Sequence, residues 1–338
     1  MATLDGSLHT LYDWAKLQDP KGAPAKIAEV LSQKNQFIDF ALYKEGNLPT
    51  GHQATIRTAL PTPTWRMLNQ GVAPTASSTG QVTFQCGMLQ GRCHVDIELA
   101  KLNGNQKAYR FNEGKAHMEG MTQEMAATKF YGSASSPNEF VGIANYYTST
   151  SENNGENIIL SGGSGSDQTS IYLVGFGEQA IYGIFPKGSM SGLEHRDLGE
   201  DDVDDENGNP YRAYKDLYTW KCGLAVEDWR YGVRIANIEV SDLIARTSTQ
   251  AVTASTSIIY GMSDAIDRIP DLNACKPGFM VNRTVASALR KIALDKSSDV
   301  VTIEPAVNQF GKSIHQLKFL DIPVLINDAI VNTETAIS

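Results

Sequence analysis

The closest approach to a cofactor motif in this sequence is Gly175, Gly177 and Ala180, which fit G-x-G-x-x-A directly after an apolar stretch. In a dinucleotide site the glycines let the backbone approach a pyrophosphate, and a helix N-terminus must follow them. Here the next residues, Ile181–Pro186, are β-rich and end at a proline. The context therefore predicts a hairpin turn, and a nucleotide-binding enzyme is kept only as an alternative.

An acidic run at Glu200–Gly208 has the composition of a calcium loop. Such a loop needs a glycine at its sixth position and a glutamate at its twelfth. Counted from Asp202, glycine falls at the seventh position and Ala213 at the twelfth. The run is therefore interpreted as a solvated hairpin tip.

The cysteines, histidines and serines give no catalytic or metal pattern. Cys86 and Cys93 lie an odd number of residues apart on one extended segment and would face opposite sides of it, which argues against a zinc site built from them and His94. The nearest approach to a nucleophile elbow, Gly188–Gly192, has Met190 where the serine must stand. We therefore predict no catalytic residue, no cofactor and no metal site.

The bulk composition limits the class of protein. The chain has 338 residues, 41% of them apolar, which allows two domains with real cores. Its net charge of -9 argues against nucleic acid as the primary ligand, because phosphate binding needs a clustered basic surface. It does not exclude a protein that encloses DNA without gripping it. Four cysteines, no signal-peptide pattern and no apolar run long enough to span a bilayer predict a soluble protein made in a cytosol.

Apolar spacing in the first hundred residues predicts an arm followed by a β-ribbon. The arm has a short helix over Ala25–Ser32 and an apolar anchor at Phe37–Leu42. Thr50–Ala59 and Gln81–Glu98 alternate as strands do, and the residues between them are rich in proline and glycine. Because a lone ribbon is marginal in water, we expect it to need another surface.

The rest of the chain predicts a long helix and a β-rich second half, so the fold class is α+β. The helix spans residues 104–131, with Met118, Met121 and Met125 on one stripe, and its glycines Gly114 and Gly120 indicate close packing or a bend. Further predicted strands cover residues 170–174, 180–185, 211–220, 224–228, 234–240, 301–304, 317–319 and 324–326, and further helices cover residues 256–269 and 282–294.

Four stretches resemble the major capsid proteins of tailed bacteriophages, in a podovirus-like branch with the Hong Kong 97-type fold. These stretches are Phe130–Gly142, Thr169–Val174, Ile184–Leu193 and Trp220–Ile238. They are patterns of packing and not of chemistry, and the resemblance covers roughly residues 30–330. It implies that the protein self-assembles into the icosahedral head shell around the phage double-stranded DNA, which it encloses without sequence-specific binding. The alternatives are an encapsulin-like compartment, a tail-tube subunit or, as above, a nucleotide-binding enzyme.

The resemblance also implies a division of the chain. It makes residues 1–48 an N-terminal arm, residues 49–97 an extended loop over an adjacent subunit, residues 98–157 and 296–338 a peripheral domain with a spine helix at 104–131, and residues 158–295 an axial domain. Some members of the family crosslink their shells through a lysine in the extended loop, but residues 49–97 contain no lysine. We therefore expect non-covalent contacts in this shell.

Four apolar side chains in the predicted loop are assigned to contacts between subunits: Ile56, Trp65, Val82 and Phe84. We expect them to become buried only on assembly. The partners implied are other copies in hexamers and pentamers, a portal protein, a separate scaffold or none, and a decoration or cement protein, with no membrane. The expected locations are the virion and, during assembly, the host cytoplasm.

Overall fold

The computed structural model describes residues 31–101, 106–204, 207–244, 249–294, 301–307 and 313–337. The helices are α1 (Gln36–Phe40), α2 (Ile97–Lys101), α3 (Gln106–Tyr131), α4 (Val240–Ile244), α5 (Thr249–Arg268) and α6 (Arg283–Leu294). Short 3-10 turns lie at Ile143–Tyr146, Asn153–Asn157 and Trp229–Tyr231. The strands are β1 (Tyr43–Glu45), β2 (Gly51–Ala59), β3 (Ser78–Asp96), β4 (Ile158–Leu160), β5 (Gln168–Phe176), β6 (Ile181–Phe185), β7 (Leu193–Asp204), β8 (Pro210–Val226), β9 (Gly232–Glu239), β10 (Lys276–Val281), β11 (Val301–Val307), β12 (Ser313–Phe319) and β13 (Ile322–Ile326).

The chain divides into two compact units. The hairpin unit comprises residues 1–33, 88–125 and 192–220, and the sheet unit comprises residues 34–87, 126–191 and 221–338. The assignment of peripheral and axial domains stays a prediction.

The sheet unit is built around β5, in which every residue is buried. Strand β5 pairs antiparallel with β9 and β10, and β10 pairs in parallel with β13. A strand buried on both faces needs an apolar layer on each side. The apolar faces of α5 and α6 supply one layer, with Met262 and Leu289 fully buried against the strands. The ring of Phe130, 5.5 Å from that of Tyr172 on β5, lies in this unit as well.

The hairpin unit contains the β7–β8 hairpin and most of α3. The hairpin runs from the pair Leu193 and Trp220 to the pair Asp204 and Pro210. Arg110 on α3 donates to Asp216 on β8, with Nη2 2.8 Å from Oδ1, and also reaches Asp197 on β7 at 2.8 Å. Asp216 is buried, so this ion pair fixes the helix against the hairpin.

The sequence-based prediction of the long helix is confirmed, since α3 spans residues 106–131. The predicted stripe is buried at Met121 and Met125, whereas Met118 is half-buried. The ribbon strands are also confirmed as β2 and β3, while β1, β4, β7 and β10 were missed. The helix predicted at residues 25–32 lies almost wholly outside the described residues. Among those residues, no helix is both long and apolar enough to cross a membrane.

The two glycines inside α3 have different surroundings. A Cβ built on Gly114 would lie 2.4 Å from the hydroxyl of Tyr218, whereas a Cβ on Gly120 would meet no atom within 4 Å. The ring of Tyr218 cannot retreat freely, because it stacks on His195 with centroids 4.7 Å apart. Close packing therefore explains the glycine at 114 but not the one at 120.

We expect Gly120→Ala to raise the free energy of unfolding by up to about 1 kcal/mol, because alanine is the better helix former. Gly114→Ala gains the same propensity but must displace Tyr218, which costs about 1–3 kcal/mol. Urea unfolding measures the free energy of unfolding of each variant, and the difference between the two values gives the cost of displacing Tyr218. Equal stabilities would show that Tyr218 moves aside without cost.

Candidate assembly surface

The glycine-rich turn at Gly175–Ala180 joins β5 to β6. The amide of Ala180 donates to the carbonyl of Gly177 at 3.2 Å, and strand β6 begins at the next residue. The expected tight turn is present, but Phe176 and Ile181 pair in parallel, so the hairpin prediction was wrong. A strand follows where a dinucleotide site needs a helix N-terminus.

The acidic run from Glu200 lies along β7 and ends at the tip of the β7–β8 hairpin. Lys215 on β8 pairs with Asp201 on β7, with Nζ 2.7 Å from Oδ2. Within the described residues, no three His, Cys, Asp or Glu side chains are grouped to hold a metal ion. Burial raises the pKa of the Cys86 thiol to about 12 and that of Cys93 to about 11. Such thiols are poor nucleophiles at neutral pH.

The ribbon, defined as residues 51–87, belongs to the sheet unit. Its strands pair antiparallel from Gly51 and Gln85 to Ala59 and Ser78, with an irregularity between Arg57 and Ala59. The register places His52 opposite Phe84, Ala54 opposite Val82 and Ile56 opposite Gly80. Residues directly opposite in a ladder point to the same face. One face of the ribbon therefore carries the apolar side chains of Ala54, Ile56, Val82 and Phe84.

The base of this apolar face is buried inside the chain. Phe84 is only 5% exposed and packs with Ala54 against Tyr182, Ile184 and Ala225. The prediction that Phe84 becomes buried only on assembly is therefore wrong. The reason is that strands β6 and β8 of the same chain already cover the base of the ribbon.

Farther along the ribbon, the same face is less buried by the rest of the chain. Val82 is 41% exposed and Ile56 is half-buried. In the tip, defined as residues 60–77, Trp65 is fully exposed at 104% and Leu68 is 91% exposed. Three of the four predicted contact residues thus have surface left to bury, although their contact with another subunit stays a prediction.

Sequence reasoning missed further members of this surface. Leu60 and Met67 are 74% and 76% exposed, and Arg66 is exposed between Trp65 and Met67. The sequence could have indicated them, because a short proline-rich loop cannot bury all of its own apolar side chains. The ribbon also has no acidic residue, and its charged side chains are Arg57 and Arg66, in a chain with a net charge of -9.

The start of the sheet unit forms an anchor, defined as residues 34–45. Phe37 is fully buried, with its ring centroid 5.2 Å from that of Phe130 and 5.5 Å from that of Phe176. The amide of Phe37 donates to Oδ1 of Asn327 at 2.8 Å. The apolar patch expected at Phe37–Leu42 thus holds the last part of the predicted arm, residues 1–48, in the sheet unit.

A buried lysine closes the anchor. Lys129, 1% exposed, donates to the hydroxyl of Tyr43, and its Nζ lies 4.8 Å from the centroid of that ring and 5.4 Å from that of Phe37. Burial lowers the pKa of Lys129 below its ordinary value of 10.5. The ammonium is therefore costly in the folded state.

We expect Lys129→Met to stabilise the protein at pH 7 and to flatten the dependence of its stability on pH. Between the lowered pKa and 10.5 the unfolded chain binds the proton and the folded chain does not, so wild-type stability rises with pH in this window. Each unit by which the pKa is lowered is worth about 1.4 kcal/mol. Guanidinium unfolding of both proteins from pH 7 to 9.5 measures the difference, in which the contributions of titrating groups distant from Lys129 cancel. Parallel curves would mean that Lys129 titrates normally.

Comparisons with known proteins match the whole chain. A family model described as major capsid protein GP7 matches residues 19–338. A chain in the cryo-EM structure of bacteriophage Epsilon15 is 30% identical, with coverage of 100% of this chain and 99% of that chain and a TM-score of 0.73. The capsid of bacteriophage JBD30 is 10% identical, covering 91% and 97% with a TM-score of 0.49. No curated protein sequence matches significantly.

Proposed function

This chain belongs to the family of major capsid proteins described as GP7, and on that basis we propose how its copies hold one another in the shell. The protein is the structural subunit of an icosahedral bacteriophage head, has the Hong Kong 97-type α+β fold, and is located in the virion. Family membership favours this role over an encapsulin-like compartment, a tail-tube subunit and a nucleotide-binding enzyme.

We propose that the outer ribbon holds a neighbouring subunit. The supporting observation is the change in burial along one apolar face, from Phe84, buried at the base, to Val82 and Ile56, which are partly exposed. Beyond this face, in the tip, Trp65 is fully exposed. A large side chain gains about 1.5–3 kcal/mol when it is fully buried. Repeated around every subunit of a closed shell, such modest contacts add through multivalency.

The proposed contacts are non-covalent, because the ribbon contains no lysine that could form an isopeptide bond. Copies would assemble as hexamers and pentamers in the host cytoplasm, around a portal protein and with a separate scaffold or none. A decoration protein would reinforce a shell without crosslinks against the pressure of packaged DNA. The net charge of -9 fits a wall that encloses DNA without gripping it.

The proposed domains follow the resemblance. Residues 98–157 and 296–338 would form the peripheral domain, which includes α3 as the spine helix. Residues 158–295 would form the axial domain around the centre of each capsomer. The anchor at Phe37 would fix the end of the arm, so that residues before it can reach a neighbour.

Deleting residues 60–77 and joining Ala59 to Ser78 through a short turn tests the proposal. The deletion leaves Ala54 and Phe84 in place, so the base of the ribbon keeps its core. We expect a folded protein, with wild-type circular dichroism and thermal midpoint, that fails to form closed shells in electron microscopy. Closed shells of normal stability from this variant would show that the tip does not hold the neighbour.

A further inference from the structure

Three asparagines in the sequence are followed directly by glycine: Asn103, Asn154 and Asn207. Such a pair is reactive, because glycine has no side chain that would hinder its backbone nitrogen from approaching the side-chain amide carbon of the asparagine. The nitrogen can then close a five-membered succinimide ring on that carbon. Whether the ring closes depends on how the fold holds both groups. Asn103 lies outside the described residues, so the structure allows a comparison of Asn154 with Asn207.

Asn207 and Gly208 lie at the tip of the β7–β8 hairpin. The ladder of this hairpin ends at the pair Asp204 and Pro210, so both residues lie in the loop beyond it. Both are exposed to solvent. Gly208 has a φ of +81°, and a Cβ built on it would meet no atom of the described residues within 4 Å. The tip therefore leaves open space beside the attacking residue and gives water access to the ring that forms.

Asn154 and Gly155 are held in the opposite way. They lie in the 3-10 turn Asn153–Asn157, in which Gly155 is buried. The backbone amide of Gly155 donates to the carbonyl of Glu152 at 2.8 Å. The side-chain amide of Asn154 donates to the carbonyl of Tyr146. Closing the ring at this pair would therefore break two hydrogen bonds and open a buried turn.

We propose that Asn207 is a site of spontaneous deamidation and that the fold blocks the same reaction at Asn154. The backbone nitrogen of Gly208 forms a bond to Cγ of Asn207, and the bond from Cγ to Nδ2 breaks. The departing nitrogen takes up the proton that the backbone nitrogen loses, so ammonia leaves. Water then opens the succinimide at one of its two carbonyl groups and gives an aspartyl or an isoaspartyl residue. The reaction consumes one water and needs no oxidant, reductant or enzyme.

The reaction is confined to one residue of the tip. The next asparagine, Asn209, precedes Pro210, whose backbone nitrogen carries no proton and cannot close the ring. Deamidation at Asn207 adds a carboxylate to a hairpin end that already carries the exposed Asp202 and Asp204. The isoaspartyl product lengthens the backbone by one carbon outside the ladder, so the strand register is kept. The tip therefore becomes more acidic as the protein ages.

Peptide mapping of the full-length protein tests the proposal, and its outcome does not depend on the proposed function. The protein is incubated at neutral pH, sampled over time and digested with trypsin, which cleaves after Arg196 and Arg212 and so isolates Asn207 from the other two pairs. Deamidation exchanges an NH group for an oxygen in the mass of the peptide. We expect Asn207 to react at least about tenfold faster than Asn154, because two hydrogen bonds must open at Asn154. The rate at Asn207 should rise with pH, since the nitrogen attacks after losing its proton.

Two controls assign the difference to the fold and to the ring. In guanidinium both pairs lose their surroundings, and we expect their rates to become similar. Asn207→Gln keeps a side-chain amide but would need a six-membered ring, so its tip peptide should stay unmodified while its unfolding midpoint equals that of the wild type. Equal rates at Asn154 and Asn207 in the folded protein, or an Asn207 that reacts only after unfolding, would overturn the proposal.

Discussion

Replacing Glu334 with alanine is expected to lower the free energy of unfolding by about 3–5 kcal/mol, because it leaves a buried arginine without its counter-ion. Glu334 and Arg234 are 5% and 6% exposed, with Arg234 Nη2 2.8 Å from Glu334 Oε2. The hydroxyls of Tyr131, Tyr172 and Ser170 also donate to this carboxylate. The pair thereby ties the C-terminal segment to β5, to β9 and to the end of α3.

A double variant without either charge separates the effect of leaving one partner unpaired from the net contribution of the pair to stability. Arg234→Met combined with Glu334→Leu removes both charges, and we expect it to be markedly more stable than Glu334→Ala alone. Lys101→Ala, which removes an exposed pair with Glu98, should leave the unfolding midpoint unchanged. The measurement is guanidinium unfolding of unassembled protein. A loss below 1 kcal/mol for Glu334→Ala would mean that water reaches Arg234 and replaces the carboxylate.

This buried pair also marks where sequence reasoning ends. The two residues lie 100 positions apart, and a glutamate near a chain end has no local signal that distinguishes it from a solvated one. The ribbon and α3 were predictable because their patterns are local, with alternation in one and helical spacing in the other. The partners of a buried side chain depend on contacts between residues far apart in the sequence, and local sequence patterns do not show these contacts.

The two longest of the missed strands escaped prediction for different physical reasons. Strand β7 carries six acidic residues among its twelve and is mostly exposed, so it has no apolar alternation to detect. Strand β10 contains Pro277 and Gly278, which argue against a strand on propensity. The structure explains the glycine, because a Cβ on Gly278 would lie 2.8 Å from the ring of Phe40 in α1. That requirement comes from the anchor, more than two hundred residues earlier in the chain.

The error at Phe84 has a similar origin. Alternation shows correctly that Phe84 and Val82 share a face with Ala54 and Ile56. It does not show how far along the ribbon the chain's own sheet extends. That limit lies between Phe84, which is 5% exposed, and Val82, which is 41% exposed.

Because of that limit, we expect Phe84→Ala to lower the stability of the unassembled protein and Trp65→Ala to weaken shell assembly. Phe84→Ala opens a cavity against Tyr182 and Ile184, and we expect it to destabilise the unassembled protein by about 3–5 kcal/mol. Trp65→Ala removes a side chain that touches little of its own chain, so its unfolding curve should overlay that of the wild type. Urea unfolding of both variants measures this difference.

Assembly assays should give the reverse order once both variants are compared at a temperature where Phe84→Ala remains folded. Trp65→Ala then lacks an apolar side chain at the proposed contact and should form shells only at higher protein concentration, whereas folded Phe84→Ala should assemble more nearly like the wild type. Val82→Ala serves as a control on the same face, since its side chain is partly covered, and we expect a smaller effect in both assays. If Trp65→Ala assembled normally and also unfolded normally, the exposed tryptophan would have no part in holding the shell. The contrast between the two aromatic residues therefore decides whether the ribbon has a folding base and an assembling tip, as their burial indicates.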